Sequence, residues 1–259
     1  MNTSYIEKVK RTQPSHFVGY WPLNEERGTV VYNAVRPAAV LAGATTTTEQ
    51  NGVSANLVRG ATKTGLLSPD GGVCAQFDGS TTYIDMVSCI SSSATTTGSM
   101  GVWAAVPEAN LAGTTKMVLF HFGADANNYA EIQCDTTANR FTATHNGAST
   151  AKTSTGLVYN AIYGKGGKDI PHDPTWHYFG FDFADGGALN FYVDGVAQTA
   201  GSSLGTWSGT LATTLCCLGS DSTTISDAYA GWLSHFMWWN KVLTADEWRE
   251  LSKAGHFNR

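Results

Sequence analysis

Two alternating runs of large apolar residues around a short turn constrain the fold of this 259-residue chain more than any other feature. They occupy residues 178–193, and Asp185-Gly186-Gly187 separates them. The apolar positions are Phe179, Phe181, Phe183, Leu189, Phe191 and Val193. Side chains alternate across a strand, so all six share one face of a hairpin. Burying one such side chain stabilises the fold by about 1.5–3 kcal/mol. The six together therefore contribute on the order of 10 kcal/mol before conformational entropy is subtracted. The pattern predicts a β-hairpin at the centre of the core.

Further strand-like segments recur along the chain, and turn residues such as Asp78-Gly79 and Asn146-Gly147 separate them. They lie at 73–78, 82–87, 100–106, 116–123, 128–134, 140–145, 176–184, 188–194, 214–219 and 229–239. Thr, Ser and Gly are abundant, while only 14% of residues are charged, which argues against a helical bundle. The sequence predicts one large all-β sandwich, with residues 33–72 as a long connection that could contain one strand.

One helix is predicted, over residues 245–253. Thr244 and Glu247 have the spacing of a capping box, in which each side chain binds a backbone N–H of the other residue. Leu243 and Trp248 stand at the positions of a hydrophobic staple. These local signals predict a short helix near the C-terminus.

Residues 1–16 are interpreted as an N-terminal attachment arm, and residues 17–259 as the sandwich domain. The arm has too little apolar area to fold alone, which is typical of a segment that orders on binding a partner. Its basic residues suit an acidic surface. The residues assigned to partner binding are Tyr5, Ile6, Lys8, Val9, Lys10 and Arg11.

Charge, cysteine content and hydropathy exclude several classes of protein. The net charge is −5 and no long basic cluster occurs, so nucleic-acid binding is not expected. Five unevenly spaced cysteines predict buried free thiols. The sequence contains no stretch of eighteen consecutive apolar residues, so no membrane-spanning helix is predicted. The first residues do not resemble an export signal. We therefore expect assembly in a reducing cytoplasm.

Four blocks of sequence are similar to the LamG-type members of the concanavalin A-like lectin/glucanase superfamily. The blocks are GYWPLNEERGTVVYNA (Gly19–Ala34), AQFDGSTTYIDM (Ala75–Met86), TWHYFGFDFADGGALNFYVDGV (Thr175–Val196) and LGSDSTTISDAYAGWLSHFMWWNKVLTADEWREL (Leu218–Leu251). The resemblance implies a jelly roll of two antiparallel sheets, in which the concave sheet and its rim loops are the usual ligand surface. It implies little about function, because one sandwich hosts lectins, hydrolases, adhesion modules and virion proteins.

Catalysis is not expected. A retaining glycosidase needs two carboxyl groups about 5–5.5 Å apart. The best candidate pair is Glu131 with Asp135, which lie on one face of a predicted strand. The glucanase branch of the superfamily carries a Glu-x-Asp-x-x-Glu motif, and this chain lacks it. Solvated carboxylates at a strand end explain the pair better.

Candidate binding residues lie in three predicted loops. Modules of this family often hold Ca²⁺ at a loop rim, and the proposed ligands are Asp125, Asn127 and Asn128. A solvated polar turn explains this cluster, and that of Asp221 and Asp227, equally well. Trp207 is the tryptophan expected to be exposed. A second open loop supplies Tyr159, Tyr163, Lys165 and Lys168. Each loop either binds a glycan or protein or fills its own small core.

The function expected from these observations is that of a non-catalytic structural protein on the surface of a bacteriophage virion, of the capsid-decoration or head-fibre type. Its partners would be other virion subunits, above all a major capsid protein, and a cell-surface glycan is possible. A trimer is the expected oligomer. The alternative is a stand-alone, extracellular carbohydrate-binding module or adhesin. A glycan-processing enzyme is the third, less favoured class.

Overall fold

The alternating segments form strands in the computed structural model, which describes residues 4–26, 29–34, 52–55, 58–59, 66–86, 96–107, 116–135, 140–148, 150–158, 175–212 and 214–253. The strands are β1 (Phe17–Trp21), β2 (Val30–Val31), β3 (Gly52–Ala55), β4 (Val58–Arg59), β5 (Ala75–Asp78), β6 (Tyr83–Asp85), β7 (Thr97–Ala105), β8 (Lys116–Asp125), β9 (Asn128–Asp135), β10 (Arg140–Gly147), β11 (Thr150–Val158), β12 (His177–Ala184), β13 (Ala188–Val193), β14 (Val196–Ala197), β15 (Gly201–Ser202), β16 (Cys216–Leu218) and β17 (Ala230–Trp239). The helices among these described residues are α1 (Tyr5–Arg11) and α2 (Ala245–Leu251). A single 3₁₀ turn, Pro14–His16, links α1 to β1.

The strands form two antiparallel sheets. Within the part of the chain that is described, the first sheet has nine strands in the order β14-β13-β12-β7-β17-β5-β4, with β1 beside β17 and β15 beside β13. The second sheet has eight strands in the order β11-β10-β9-β8-β16-β6-β3-β2. Neighbours that are distant in sequence, such as β7 and β17, show the crossovers of a jelly roll. The predicted all-β sandwich of two antiparallel sheets is confirmed.

The predicted hairpin is formed by β12 and β13. Its register pairs Phe179 with Val193, Phe181 with Phe191 and Phe183 with Leu189. All six side chains are buried in the core between the two sheets. Phe181 stacks on Phe120 of the second sheet with ring centroids 5.7 Å apart, which shows that the two sheets face each other across this hairpin.

The predicted C-terminal helix is also present, as α2. Thr244 Oγ1 accepts from Glu247 N, and Glu247 Oε2 accepts from Thr244 N at 2.7 Å, which is the reciprocal pattern of a capping box. Leu243 and Trp248 are both buried where the helix packs on the outer face of the first sheet. Gly180 leaves room there, since a Cβ at this position would lie 2.4 Å from Trp248 Cζ3.

The helix α1 corrects the interpretation of residues 1–16 as a segment that needs a partner to order. Ser4 caps it, and Tyr5 and Val9, one turn apart, are buried in a second apolar cluster on the outer face of the first sheet. Tyr5 Oη accepts from Trp103 Nε1 and donates to the carbonyl of Leu251, both at 2.9 Å. The sandwich itself supplies the apolar area that the segment lacks.

Two predictions about the whole chain concern cysteines and membranes. Cys74, Cys134, Cys216 and Cys217 are buried free thiols, as expected, whereas Cys89 lies outside the described residues. No helix among the described residues is long and apolar enough to cross a membrane.

Candidate functional site

Polar side chains cover the centre of the outer face of the second sheet, where β9 and β10 lie side by side. Tyr129, Glu131 and Gln133 alternate with the core residues of β9, and the register sets them opposite Asn146, Thr144 and Thr142 of β10. We call these six side chains the polar ladder. Neighbouring strands lie about 4.8 Å apart and alternate residues about 6.6 Å apart, so the ladder is a two-by-three grid of hydrogen-bonding groups.

The ladder is sheltered rather than freely solvated. Glu131 and Gln133 are each 8% exposed, Thr142 and Thr144 4%, and Asn146 7%, while Tyr129 is partly exposed. Tyr129 therefore offers an aromatic surface at one end of a row of desolvated polar groups. A few polar groups placed in this way can fix the orientation of a ligand.

A histidine on the adjacent strand completes the grid. His121 of β8 lies opposite Glu131, and its Nδ1 is 3.0 Å from Glu131 Oε2. The imidazole also stacks on Tyr129, with ring centroids 5.1 Å apart and planes 21° apart. Gly123 makes this stack possible, because a Cβ there would lie 2.9 Å from His121 Nε2 and 3.2 Å from Tyr129 Cβ.

Two oxygen atoms of the ladder have no hydrogen-bond partner. They are Thr142 Oγ1 and Asn146 Oδ1, both buried. Asn146 Nδ2 donates to the carbonyl of Ala126 at 3.2 Å, which fixes the amide so that Oδ1 is the atom left over. A buried polar atom without a partner costs about 1–3 kcal/mol, so these two oxygens are unusual features of this face.

The surroundings of the ladder are acidic. Asp227 is close enough to Glu131 and Lys116 to interact with both charges, and burial together with the Asp221 carboxylate raises its pKa. Asp85 interacts with Cys217, which lies opposite His121 in the sheet. Burial, helped by the charge of Glu131, also raises the pKa of Tyr129, so the phenol stays neutral. The arrangement can bind a neutral or cationic, hydroxyl-rich ligand.

The carboxyl pair Glu131 and Asp135 is not arranged for glycoside hydrolysis. Four residues along a strand separate the two Cα atoms by about 13 Å, well beyond the 5–5.5 Å of a retaining pair. Residues i and i+4 share a strand face but lie too far apart for such a pair. Glu131 instead binds His121, and Asp135 lies between Lys116 and Arg140 in the register.

Trp207 is buried, contrary to the prediction, with 6% of its surface exposed. Its backbone N donates to Asp185 Oδ2 at 2.9 Å, which draws the loop over one end of the sandwich. The ring then lies 5.9 Å from the His145 ring. A sugar therefore cannot stack on this indole. Tyr159, Tyr163, Lys165 and Lys168 lie outside the described residues.

The proposed calcium ligands come together, but as a hydrogen-bonded turn. Asp125 Oδ1 accepts from Asn127 N at 2.7 Å and from Asn128 Nδ2 at 3.0 Å, and these bonds lower the pKa of Asp125. Asn128 Oδ1 accepts from the backbone N of Ala148 and of Ser208. Donors thus occupy the oxygens that Ca²⁺ would need, so these residues do not fit the ion. The described residues contain no group of three His, Cys, Asp or Glu that could hold a metal.

Of the residues assigned to partner binding, two are unavailable and the others lie near the surface. Tyr5 and Val9 are buried, as described above, and Ile6 packs beside them. Lys8 Nζ donates to the carbonyls of Glu250 and Lys253, which leaves it bound to α2. Lys10 pairs with Glu7 at 3.2 Å, and Arg11 is exposed.

The polar ladder itself was not predicted from the sequence. The signal was present, because polar residues alternate in both NYAEIQCD and RFTATHNG. The alternation alone identifies strands and core positions. The register that joins the two polar rows was missing, and it depends on contacts across the sheet.

Comparisons with known proteins agree on the fold. The profile of the laminin G type 3 family, described as the concanavalin A-like lectin/glucanases superfamily, matches residues 78–247. No curated protein matches the chain in sequence. The binding domain of botulinum neurotoxin serotype D is similar in structure, with a TM-score of 0.61 at 10% identity, over 93% of this chain and 52% of that one.

Two further structures are similar. The serotype D ligand binding domain in complex with N-acetylneuraminic acid has a TM-score of 0.63 at 10% identity, over 96% of this chain and 53% of its own. The serotype G binding domain has a TM-score of 0.60 at 10% identity, over 91% and 50%. The chain thus spans about half the length of these structures. Similarity at this identity concerns the fold alone.

Proposed function

The chain belongs to the concanavalin A-like lectin/glucanase superfamily, and from this premise we propose that it is a non-catalytic carbohydrate-binding protein whose glycan site is the polar ladder. The sandwich is a lectin-like fold, and one structure similar to it holds a sugar, N-acetylneuraminic acid. Fold similarity alone does not identify a site, so the proposal rests on the chemistry of the ladder.

The observation that carries the proposal is the pair of unpartnered oxygens, Thr142 Oγ1 and Asn146 Oδ1, at opposite ends of one strand face. A sugar presents hydroxyl groups that donate and accept, and its spacing of a few ångströms between hydroxyls suits a grid of strand side chains. Tyr129, partly exposed at the end of the grid, supplies the ring on which an apolar sugar face packs.

The absence of catalysis is supported by the same geometry. Glu131 binds His121, and its partner in the candidate pair, Asp135, is a strand residue about 13 Å away along the backbone. We therefore expect glycans to bind without being cleaved. Incubation with a bound oligosaccharide, followed by chromatography of the sugar, should return it intact.

The experiment that tests the glycan site is a screen of immobilised neutral, amino and acidic oligosaccharides, followed by calorimetric titration of the sugars that bind. Thr142→Val removes one unpartnered hydroxyl and should weaken binding about fivefold, the value of one hydrogen bond. Thr206→Val, an exposed loop position, is the matched control and should bind as the wild type does. Failure of every sugar to bind would overturn the proposal.

A more specific proposal is that the protein acts on the surface of a bacteriophage virion. It is supported by the separation of two surfaces: the ladder lies on the second sheet, whereas α1, with exposed Arg11 and partly exposed Lys10, lies on the first. One face could contact a major capsid protein while the other binds a glycan on a cell. In the virion role the protein is a trimeric subunit of the virion surface. In the alternative role it is an extracellular adhesin.

Charge reversal tests the virion role better than deletion of residues 1–16, because deletion would remove the buried Tyr5 and Val9. Lys10→Glu with Arg11→Glu keeps those side chains in place. We expect the wild type to sediment with undecorated particles and the double variant to bind them more weakly. Light scattering would determine whether the subunit is a trimer. No association of the wild type with any particle contradicts the virion role and leaves the glycan site intact.

A further inference from the structure

We infer that the polar ladder selects a sugar bearing a free amino group, of the glucosamine type, and excludes sialic acid. This inference rests on the proposed glycan site and specifies its ligand. Two independent features of the ladder support it: which hydrogen-bonding atoms lack a partner, and which charges surround them.

The unpartnered atoms can accept hydrogen bonds. Asn146 donates its nitrogen to the carbonyl of Ala126, so its unpartnered atom is the oxygen, which can only accept. Thr142 Oγ1 can accept or donate, and an ionised Glu131 only accepts. A ligand that satisfies these atoms must bring N–H and O–H donors. An ammonium group brings three, whereas a sugar carboxylate brings none.

The charges favour the same ligand. Glu131 lies at the middle of the ladder, and Asp227 interacts with it electrostatically. The cations of the described strands on this face, Lys116 and Arg140, stand at one end, and the register sets both opposite Asp135. A carboxylate placed beside Glu131 would therefore meet a like charge, while an ammonium group would meet an opposite one, in surroundings that are largely shielded from water.

This selectivity differs from that of the similar structure that holds N-acetylneuraminic acid, which is an anionic sugar. The two chains share the fold but only 10% of their residues, so their sites are free to differ. The prediction is specific to the residues Glu131, Thr142 and Asn146 of this chain.

The test is calorimetric titration with three probes: a β-1,4-linked glucosamine trisaccharide, its fully N-acetylated form, and sialyllactose. A charged hydrogen bond contributes about 1.5–3 kcal/mol, so the amine should bind roughly ten- to a hundredfold more tightly than its acetylated form. Sialyllactose should bind most weakly. Because the preference is electrostatic, raising the salt concentration should reduce it.

Glu131→Gln identifies the residue responsible, because it removes the charge and nearly preserves the shape. The preference for the amine should fall to within about threefold of the acetylated sugar. Asp246→Asn removes one charge from exposed α2, on the other sheet, and should leave the preference unchanged. If Glu131→Gln fails to fold, the salt dependence of the wild type still tests whether the preference is electrostatic.

The outcomes separate this inference from the proposed function. Binding of sialyllactose as tightly as of the amine, weakened by Thr142→Val, would overturn the inference and keep the glycan site. A preference for the amine that survives both Glu131→Gln and high salt would also overturn it. Binding of no sugar overturns the proposed function, and the inference with it.

Discussion

The indole nitrogen of Trp248 donates a 3.0 Å hydrogen bond to Oδ2 of Asp182, which joins α2 to the outer face of the first sheet. Asn190 Nδ2 donates to the other carboxyl oxygen at 2.6 Å. Both hydrogen bonds favour the ionised carboxylate, but burial outweighs them and raises the pKa of Asp182 to about 6. The helix is therefore held by a carboxyl group that titrates in mildly acidic solution.

Asp182 makes the stability of the fold depend on pH. Its folded pKa lies above the unfolded value of about 3.9, so its contribution is complete below about pH 4 and is lost as the pH rises through 6. The difference corresponds to about 3 kcal/mol. Asp182→Asn should lose less free energy of unfolding between pH 4 and 7 than the wild type, measured by urea denaturation. Equal losses in the two proteins would contradict the assignment, and Asp246→Asn is the exposed control.

His145 should make the stability of the fold depend on pH in the opposite direction, over nearly the same pH range. Neither of its ring nitrogens has a hydrogen-bond partner, and burial lowers its pKa to about 4. The unfolded chain takes up a proton near pH 6.5, so stability is lost as the pH falls from about 6.5 towards 4. His145→Leu, similar in volume and without polar atoms, should remove this loss and be at least as stable as the wild type at pH 4.5. A partly exposed control, His16→Gln, should retain it.

Local signals explain why the strands and α2 could be predicted. The alternation in β12 and β13 and the capping box at Thr244 each involve residues within a few positions of one another. The helix α1 could not be predicted in this way. Its two buried residues, Tyr5 and Val9, are too few to indicate a helix, and the hydrogen-bond partners of Tyr5 are 98 and 246 residues away.

The candidate site was missed for the same reason, because it depends on register. Glu131 lies opposite Thr144 on one neighbouring strand and opposite His121 on the other. These pairings cannot be read from the sequence. For Trp207 the sequence predicted an exposed side chain, and the prediction was wrong. A Gly-, Ser- and Thr-rich loop is normally exposed, but the hydrogen bond to Asp185 pulls this one over the end of the core.

Tyr5→Phe should destabilise the protein although it keeps the ring. The hydroxyl group links Trp103 Nε1 to the carbonyl of Leu251, and its loss leaves both buried groups without this partner. Such a loss costs about 1–3 kcal/mol in the free energy of unfolding. Urea denaturation measures it, with Tyr32→Phe at an exposed position as control. A loss no larger than that of the control would show that α1 is not held by this link.

The buried cysteines should be unreactive in the folded protein. Burial raises the pKa of Cys216 to about 12 and that of Cys217 still further, so their reactive thiolates are scarce near neutral pH. The variant Cys89→Ser removes the thiol outside the described residues. In this variant a thiol reagent should label the native protein no faster than the protein unfolds to expose its cysteines. Denaturant should then expose all four remaining cysteines. Rapid labelling without denaturant would contradict this burial.

Gly123→Ala should damage the candidate site more than the fold. The added methyl group would lie 2.9 Å from His121 Nε2, and the imidazole can move away only by leaving its stack with Tyr129 or its contact with Glu131. We expect the affinity for the glucosamine trisaccharide to fall several-fold, with a loss of about 1 kcal/mol in the free energy of unfolding. Gly72→Ala, whose nearest neighbour would be the Ser68 hydroxyl at 3.3 Å, controls for a general effect of the substitution. An unchanged affinity in Gly123→Ala, measured by titration calorimetry, would mean that the ligand does not depend on the position of His121.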